Sequence, residues 1–179
     1  AVNGCKRNID YAASMGCGII IGFLKGGPGS DREVSERLFL ESMLELKPYI
    51  EEKKVQVLIE ATNHKEASII RTLKEGAHVI NFLDCPFIQL LADTYHMNIE
   101  ESDIKKSIQS AKGKICHVHV ADNDRWFVGH GHYDFAETLG ALKEIGYTGA
   151  VSVESFGFPD MISSARASYE NMRHIMNQL

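Results

Sequence analysis

Short apolar runs alternate with amphipathic segments along most of this chain. Residues 19–23 form an apolar run between Gly18 and the loop Gly26-Gly27-Pro28-Gly29-Ser30, which predicts a buried parallel strand. Residues 31–53 predict a helix, because Phe39, Met43, Leu46 and Ile50 recur on one stripe. Pro48 is expected to kink or tighten its last turns. Further strands are predicted over 55–62, 87–93, 115–121 and 149–154. Between them fall helices over 65–75, stopped by Gly76, and over 79–84, ended before Pro86. A helix over 101–111 places Ile104, Ile108 and Ala111 on one face. Asp134 and Glu137 read as a capping box for a helix that buries Phe135, Leu139, Leu142 and Ile145 and ends at Gly146. The last helix carries Ile162, Ala165, Tyr169, Met172 and Met176 on one side, and the chain begins inside another helical segment.

Strand–helix alternation at this spacing implies an α/β fold, with a parallel sheet and right-handed crossovers. Five strand–helix units are readable. No Gly-x-Gly-x-x-Gly or Walker-type loop stands at a strand–helix turn, which argues against a nucleotide-binding doubly wound sheet. The 179 residues are 44% hydrophobic, enough for one globular core. A net charge of -5, without a cluster of Lys and Arg, argues against nucleic acid as a partner. No apolar stretch is long enough to span a membrane, and the first residues lack a signal-peptide pattern. Cys5, Cys17, Cys85 and Cys116 form no Cys-x-x-Cys pair and read as free thiols, which suits a cytoplasmic protein.

In four successive strands the last residues include a side chain able to hold a metal: Glu60, Asp93, His119 and Glu154. Strand alternation sets the direction of each. If Val118 and Val120 pack on helices, His117 and His119 point to the other face. The same parity pairs Ser152 with Glu154, Leu58 with Glu60, and Gln89 and Leu91 with Asp93. Four such groups then converge at the carboxyl ends of neighbouring parallel strands, where open and closed α/β sheets place their sites. Three carboxylates gathered there repel one another unless a cation sits among them. The alternative is an internal salt-bridge network, but no Lys or Arg lies on the inward parity of these strands. One divalent metal ion is therefore expected. Three oxygens and one imidazole favour Mn²⁺, Mg²⁺ or Co²⁺, with Zn²⁺ less well served.

At these residues the chain resembles the xylose-isomerase-like (β/α)8-barrel superfamily, and within it the D-tagatose 3-epimerase type of ketose epimerase. The likeness rests on Leu-Ile-Glu-Ala-Thr-Asn (58–63), Asp-Thr-Tyr-His-Met-Asn-Ile-Glu-Glu (93–101), His-Val-His-Val-Ala-Asp-Asn-Asp-Arg (117–125), Gly-His-Gly-His-Tyr-Asp-Phe (129–135) and Gly-Tyr-Thr-Gly-Ala-Val-Ser-Val-Glu (146–154). The ligand spacings of 33, 26 and 35 residues also look like the family's. The resemblance implies a TIM-type barrel and a metal-dependent isomerase or epimerase of a small sugar or ketose. It implies that Glu60, Asp93, His119 and Glu154 bind the metal, and that Glu60 and Glu154 double as an acid–base pair. It implies that His96 and Arg125 contact substrate oxygens and that Glu66 lies near the substrate's first carbons. A keto-polyol dehydratase using the same enediolate chemistry, or a non-catalytic sugar-binding barrel, are the alternatives. Trp126 and Phe127 are candidates to wall the pocket or to pack on a partner chain, for instance in a homo-oligomer.

The family's barrel has eight strands and runs to roughly 250 residues. The five readable strands match its last five, so the chain is expected to be the C-terminal part of a barrel with the first three strands absent. Both outer strands would then be open edges, and inward residues such as Leu58 and Leu91 would lack packing partners.

Overall fold

The computed structural model describes residues 1–179. Five parallel strands, β1 (Ile19–Ile21), β2 (Val57–Glu60), β3 (Ile88–Asp93), β4 (Ile115–Val120) and β5 (Ala150–Val153), lie side by side in chain order. They form a half-barrel backed by helices. α1 (Val2–Met15), α2 (Arg32–Lys53), α3 (Leu73–Leu83), α4 (Thr94–Glu100), α5 (Ile104–Ser110), α6 (Phe135–Glu144) and α7 (Met161–Met176) complete the chain.

Parity places the core as the sequence predicts. Val57, Ile59, Ile88, Leu90, Ala92, Val118 and Val120 all join one buried cluster with Phe39, Met43, Leu46 and Ile50 of α2. α2 runs unbroken through Pro48, and Asp31 caps it by accepting a bond from the Val34 amide at 2.9 Å. Asp134 caps α6 by accepting from the Glu137 amide.

Four expectations change. The region from 65 to 84 holds one helix, α3, rather than two. Thr72 caps it, and Gly76 lies inside it instead of ending it. A Cβ on Gly76 would come within 2.6 Å of Leu90 Cδ2, so glycine is there to let the helix approach β3. The 101–111 helix starts later, at Ile104 behind an Asp103 cap, and α4 precedes it. Leu58 and Leu91 are buried despite the open sheet. In the sheet register Leu58 lies beside Gln89, and Leu91 lies between Glu60 and His117.

The outer strands are open, with β1 paired only to β2 and β5 only to β4. Ile20 and Val153 are exposed there. The fourth change follows from the β5 edge. α7 buries Ser164, Ser168 and Met172, while Ile162, Tyr169 and Met176 of its expected apolar stripe are exposed. Tyr169 and Met176 help line a groove of about 720 Å³ along β5. No helix is long and apolar enough to cross a membrane.

Candidate metal centre

The four expected ligands arrive from four adjacent strands. Glu60 closes β2 and Asp93 closes β3. His119 lies opposite Asp93 in the β3–β4 register. Glu154 follows β5 and stays tied to the sheet by its amide, which donates to the Val120 carbonyl at 3.1 Å. One ligand atom from each of the four lies within 4.8 Å of all the others. His119 Nδ1 is 2.9 Å from Glu154 Oε2, 3.7 Å from Asp93 Oδ2 and 3.8 Å from Glu60 Oε1. Glu60, Asp93 and His119 are buried, and Glu154 is half exposed.

These groups perturb one another strongly. Burial, and then the nearby charges of Asp93 and Glu154, push the Glu60 carboxyl up to about 7. Burial also raises Asp93 to about 6, against the pull of Arg125. Glu154 moves the other way, to about 2, chiefly through its hydrogen bond with His119, with Arg125 adding to the effect. Burial would lower His119, but the Glu154 bond and the surrounding carboxylates outweigh it and raise the imidazole. Glu60 Oε1 is buried and has no hydrogen-bond partner. A buried carboxylate oxygen without a donor is costly, so this atom calls for a cation or an acidic proton.

Two cations do reach the cluster, both from loops. Their absence from the inward strand positions holds, but it does not leave the carboxylates unbalanced. Arg125 Nη1 bonds both oxygens of Asp93, at 2.6 and 2.7 Å, and its Nη2 pairs with Glu154. Its side chain also lies over the Tyr95 ring, 4.9 Å from the centroid. Lys25 is fully buried behind Glu60. The internal salt-bridge alternative therefore accounts for Asp93 and Glu154 but leaves Glu60 Oε1 unsatisfied.

His96, on α4, is buried in the same pocket. Its Nδ1 faces the Asn63 amide at 3.4 Å and Asn63 Nδ2 at 2.8 Å. Both can only donate, so Nδ1 is the acceptor and Nε2 carries the proton of the neutral ring. Burial, with help from Arg125, lowers His96 to about 3, which keeps that ring neutral. Nε2 points between Glu60 Oε1 at 3.8 Å and Glu66 Oε2 at 3.7 Å. Glu66 is held beside the pocket by Asn63 Nδ2 at 3.3 Å. The geometry thus gathers all seven residues singled out from the sequence.

The neighbouring histidines fall outside the cluster. His117 bonds Ser152 Oγ at 2.7 Å. His130 pairs with Asp124 and stacks on Trp126, with ring centroids 4.4 Å apart. Sequence reasoning passed over Lys25 and Asp122. Asp122 is buried and organises the loop after β4 by accepting from the Asn123, Gly129 and Tyr133 amides. An acid lying between His119 and Arg125 was the available signal for it.

The xylose isomerase-like TIM barrel model matches residues 1–178. The chain belongs to that family. An L-ribulose 3-epimerase of Methylomonas sp. (strain DH-1) is 31% identical over 166 residues, covering 91% of this chain and 58% of that protein. A second L-ribulose 3-epimerase, from Mesorhizobium japonicum, is 36% identical over 155 residues, covering 84% of this chain and 52% of its own length. The chain therefore spans about half the length of the curated relatives it matches. The solved structure of an L-ribulose 3-epimerase superposes with a TM-score of 0.87 at 24% identity, over 99% of this chain and 67% of that one. That likeness shows the TIM-type fold, of which this chain holds five parallel strands as a half-barrel.

Proposed function

We propose that this chain carries the metal-binding and acid–base machinery of a ketose epimerase. The observation that supports it best is the convergence of Glu60, Asp93, His119 and Glu154, with one buried Glu60 oxygen left unpartnered. Those four residues would hold one divalent ion. Their three carboxylates and one imidazole suit Mn²⁺, Mg²⁺ or Co²⁺, with Zn²⁺ a poorer match. Bound there, the ion would act as a Lewis acid that stabilises negative charge developing on the substrate's carbonyl and hydroxyl oxygens.

The chain's own residues would do the rest. Epimerisation next to a carbonyl needs a proton removed from one face of a carbon and another returned to the opposite face. Glu60 and Glu154 come from β2 and from the end of β5, on either side of the pair of strands that holds Asp93 and His119. Their acidities are pushed apart, to about 7 and about 2. Those values belong to the site without an ion; the two-sided placement of the carboxylates, not the split, supports their roles as proton acceptor and donor. His96 would donate from Nε2 to a substrate oxygen, and Glu66 would accept from a hydroxyl. Arg125 would bind substrate oxygens after giving up part of its hold on Asp93 and Glu154. The relatives' names, L-ribulose 3-epimerases, point to a ketose as the substrate class.

The test is solvent exchange. The protein with added Mn²⁺ is incubated in deuterated buffer with a panel of ketoses, and deuterium is measured at the carbon beside the carbonyl. Incorporation with at least one ketose, accompanied by its epimerisation, and loss of that epimerisation in Glu60→Gln are the expected results. Protein that binds Mn²⁺ but exchanges no ketose in the panel, or Glu60→Gln that epimerises as fast as wild type, overturns the proposal.

A further inference from the structure

Lys25 has no part in the chemistry above, yet it is the largest fully buried side chain in the molecule, 1% exposed. It forms no ion pair with any carboxylate. Its ammonium instead donates to the Glu60 carbonyl, to Thr62 Oγ1 at 2.9 Å and to the Ile70 carbonyl at 3.3 Å. Three donors meet three oxygens, which is the full capacity of an ammonium. Burying a cation against neutral oxygens is expensive and calls for a compensating role.

The surroundings are built to aim those oxygens at it. Ile70 is a β-branched residue in the left-handed region, at φ 53. Such a conformation is strained and persists only where its neighbours enforce it. Its carbonyl receives both Lys25 and the Thr62 amide, the latter at 3.2 Å. The loop that carries Lys25 is pinned against the same segment, because the Ser68 amide donates to the Gly26 carbonyl at 3.1 Å. One ammonium therefore joins the loop after β1, the end of β2 and the loop that follows it, at the residue that supplies the unpartnered ligand oxygen.

We infer that Lys25 is a positioning residue that fixes the backbone of Glu60 and so aims its carboxylate into the metal centre. The inference rests on the metal-site reading above. Its test uses Mn²⁺ binding, which reports on Lys25 whether or not a ketose is turned over. Removing a positive charge beside a cation site should by itself tighten Mn²⁺ binding. If Lys25 instead holds a ligand in place, Lys25→Met weakens binding by roughly 10-fold, the lower end of what lost support around a ligand costs. The electron paramagnetic resonance spectrum of bound Mn²⁺ should change with it.

A second pair guards against misfolding of Lys25→Met. Thr62→Val removes one of the three acceptors and should weaken Mn²⁺ by about threefold, the worth of one net hydrogen bond. Thr62→Ser keeps the hydroxyl and should bind as wild type does. A folded Lys25→Met that binds Mn²⁺ as tightly as wild type or tighter, with an unchanged spectrum, overturns the inference. So does Thr62→Val binding like Thr62→Ser, whatever the fate of Lys25→Met. Wild-type chain that binds no Mn²⁺ sinks the metal-site reading itself, and this inference with it.

Discussion

Glu60 and Glu154 end nearly the same short sequence, Val-Leu-Ile-Glu in one case and Val-Ser-Val-Glu in the other. Their environments make them opposites. Glu60 ends a strand with neighbours on both sides, and its side chain is 8% exposed. Glu154 follows the edge strand, and its side chain is 50% exposed. The enclosed carboxylate is pushed up to about 7, while the open one, bonded to His119 and paired with Arg125, falls to about 2. Acidity here is set by position in the sheet and by which side faces a cation, not by residue type.

The largest effect should come from removing either carboxylate. Glu60→Gln and Glu154→Gln keep size and polarity but cannot exchange a proton. Each is expected to cut epimerisation by about 10²–10⁴, the range for a lost acid or base. The two should differ in which epimer of a ketose pair still exchanges its proton with solvent. If Glu154→Gln epimerises as fast as wild type, the two-sided assignment fails and the comparison reduces to one working glutamate.

Next in size is the effect of the metal on stability. Glu60 has a folded value above its ordinary one, so its favourable contribution is complete below about 4.5 and is lost as pH rises through about 7. Asp93 behaves alike up to about 6. Glu154 is opposite, contributing above its ordinary range and losing that contribution only as pH falls toward about 2. A divalent ion needs Glu60 and Asp93 ionised, so its effect should grow with pH. At pH 7.5, Mn²⁺ at about 100 times its Kd should add about 2.7 kcal/mol to chelator-treated protein, or roughly 5–10 °C in Tm. At pH 5.5 the same Mn²⁺ concentration should add clearly less, because Kd rises as the carboxyls protonate. Equal shifts at both values, measured by scanning calorimetry, would show that the raised carboxylates are not ligands.

How much of this was legible follows the same divide between strand and loop. The proposed ligands are readable because alternation fixes the direction of every strand residue, and Val118 and Val120 can be assigned outward from their neighbours alone. α3 was misread because a glycine after an apolar stretch ordinarily ends a helix. Gly76 instead marks a close approach to Leu90, a contact between residues far apart in sequence. α4 has too few residues for an apolar stripe, and its cap is the expected ligand Asp93, whose Oδ1 accepts from the Tyr95 and His96 amides. Arg125 was found through the family motif, while Lys25, a lone lysine in a glycine-rich loop, offered no such signal. Loops have no period, so the distance from Lys25 to Glu60 exists only once the chain is folded.

Arg125 tests the open side of the comparison with a smaller effect. It now pairs with two of the four expected ligands, and so competes with a metal for them. Arg125→Met should tighten Mn²⁺ binding by about tenfold, equivalent to about 1.4 kcal/mol. The same change should raise KM for the ketose more than it lowers kcat, because a binding contact is lost. Opposite signs for metal and substrate distinguish this cation from Lys25, whose removal is expected to weaken the metal.

The smallest effect should come from crowding the enclosed side without changing any charge. Gly22 follows β1, and a Cβ there would lie 2.8 Å from Glu60 Oε2. Gly22 is not among the glycines with positive φ, so Ala is acceptable to the backbone. Gly22→Ala therefore acts through contact alone, and the mobile end of Glu60 is what must yield. Stability should change by less than about 1 kcal/mol, the gain in backbone entropy partly offsetting the crowding. Mn²⁺ affinity should still fall severalfold, because a ligand oxygen is displaced by a few tenths of an ångström. No counterpart exists beside Glu154, which is half exposed and free to adjust. If isothermal titration shows Gly22→Ala binding Mn²⁺ as wild type does, Glu60 has the same freedom, and the enclosure that sets the two glutamates apart does not constrain its position.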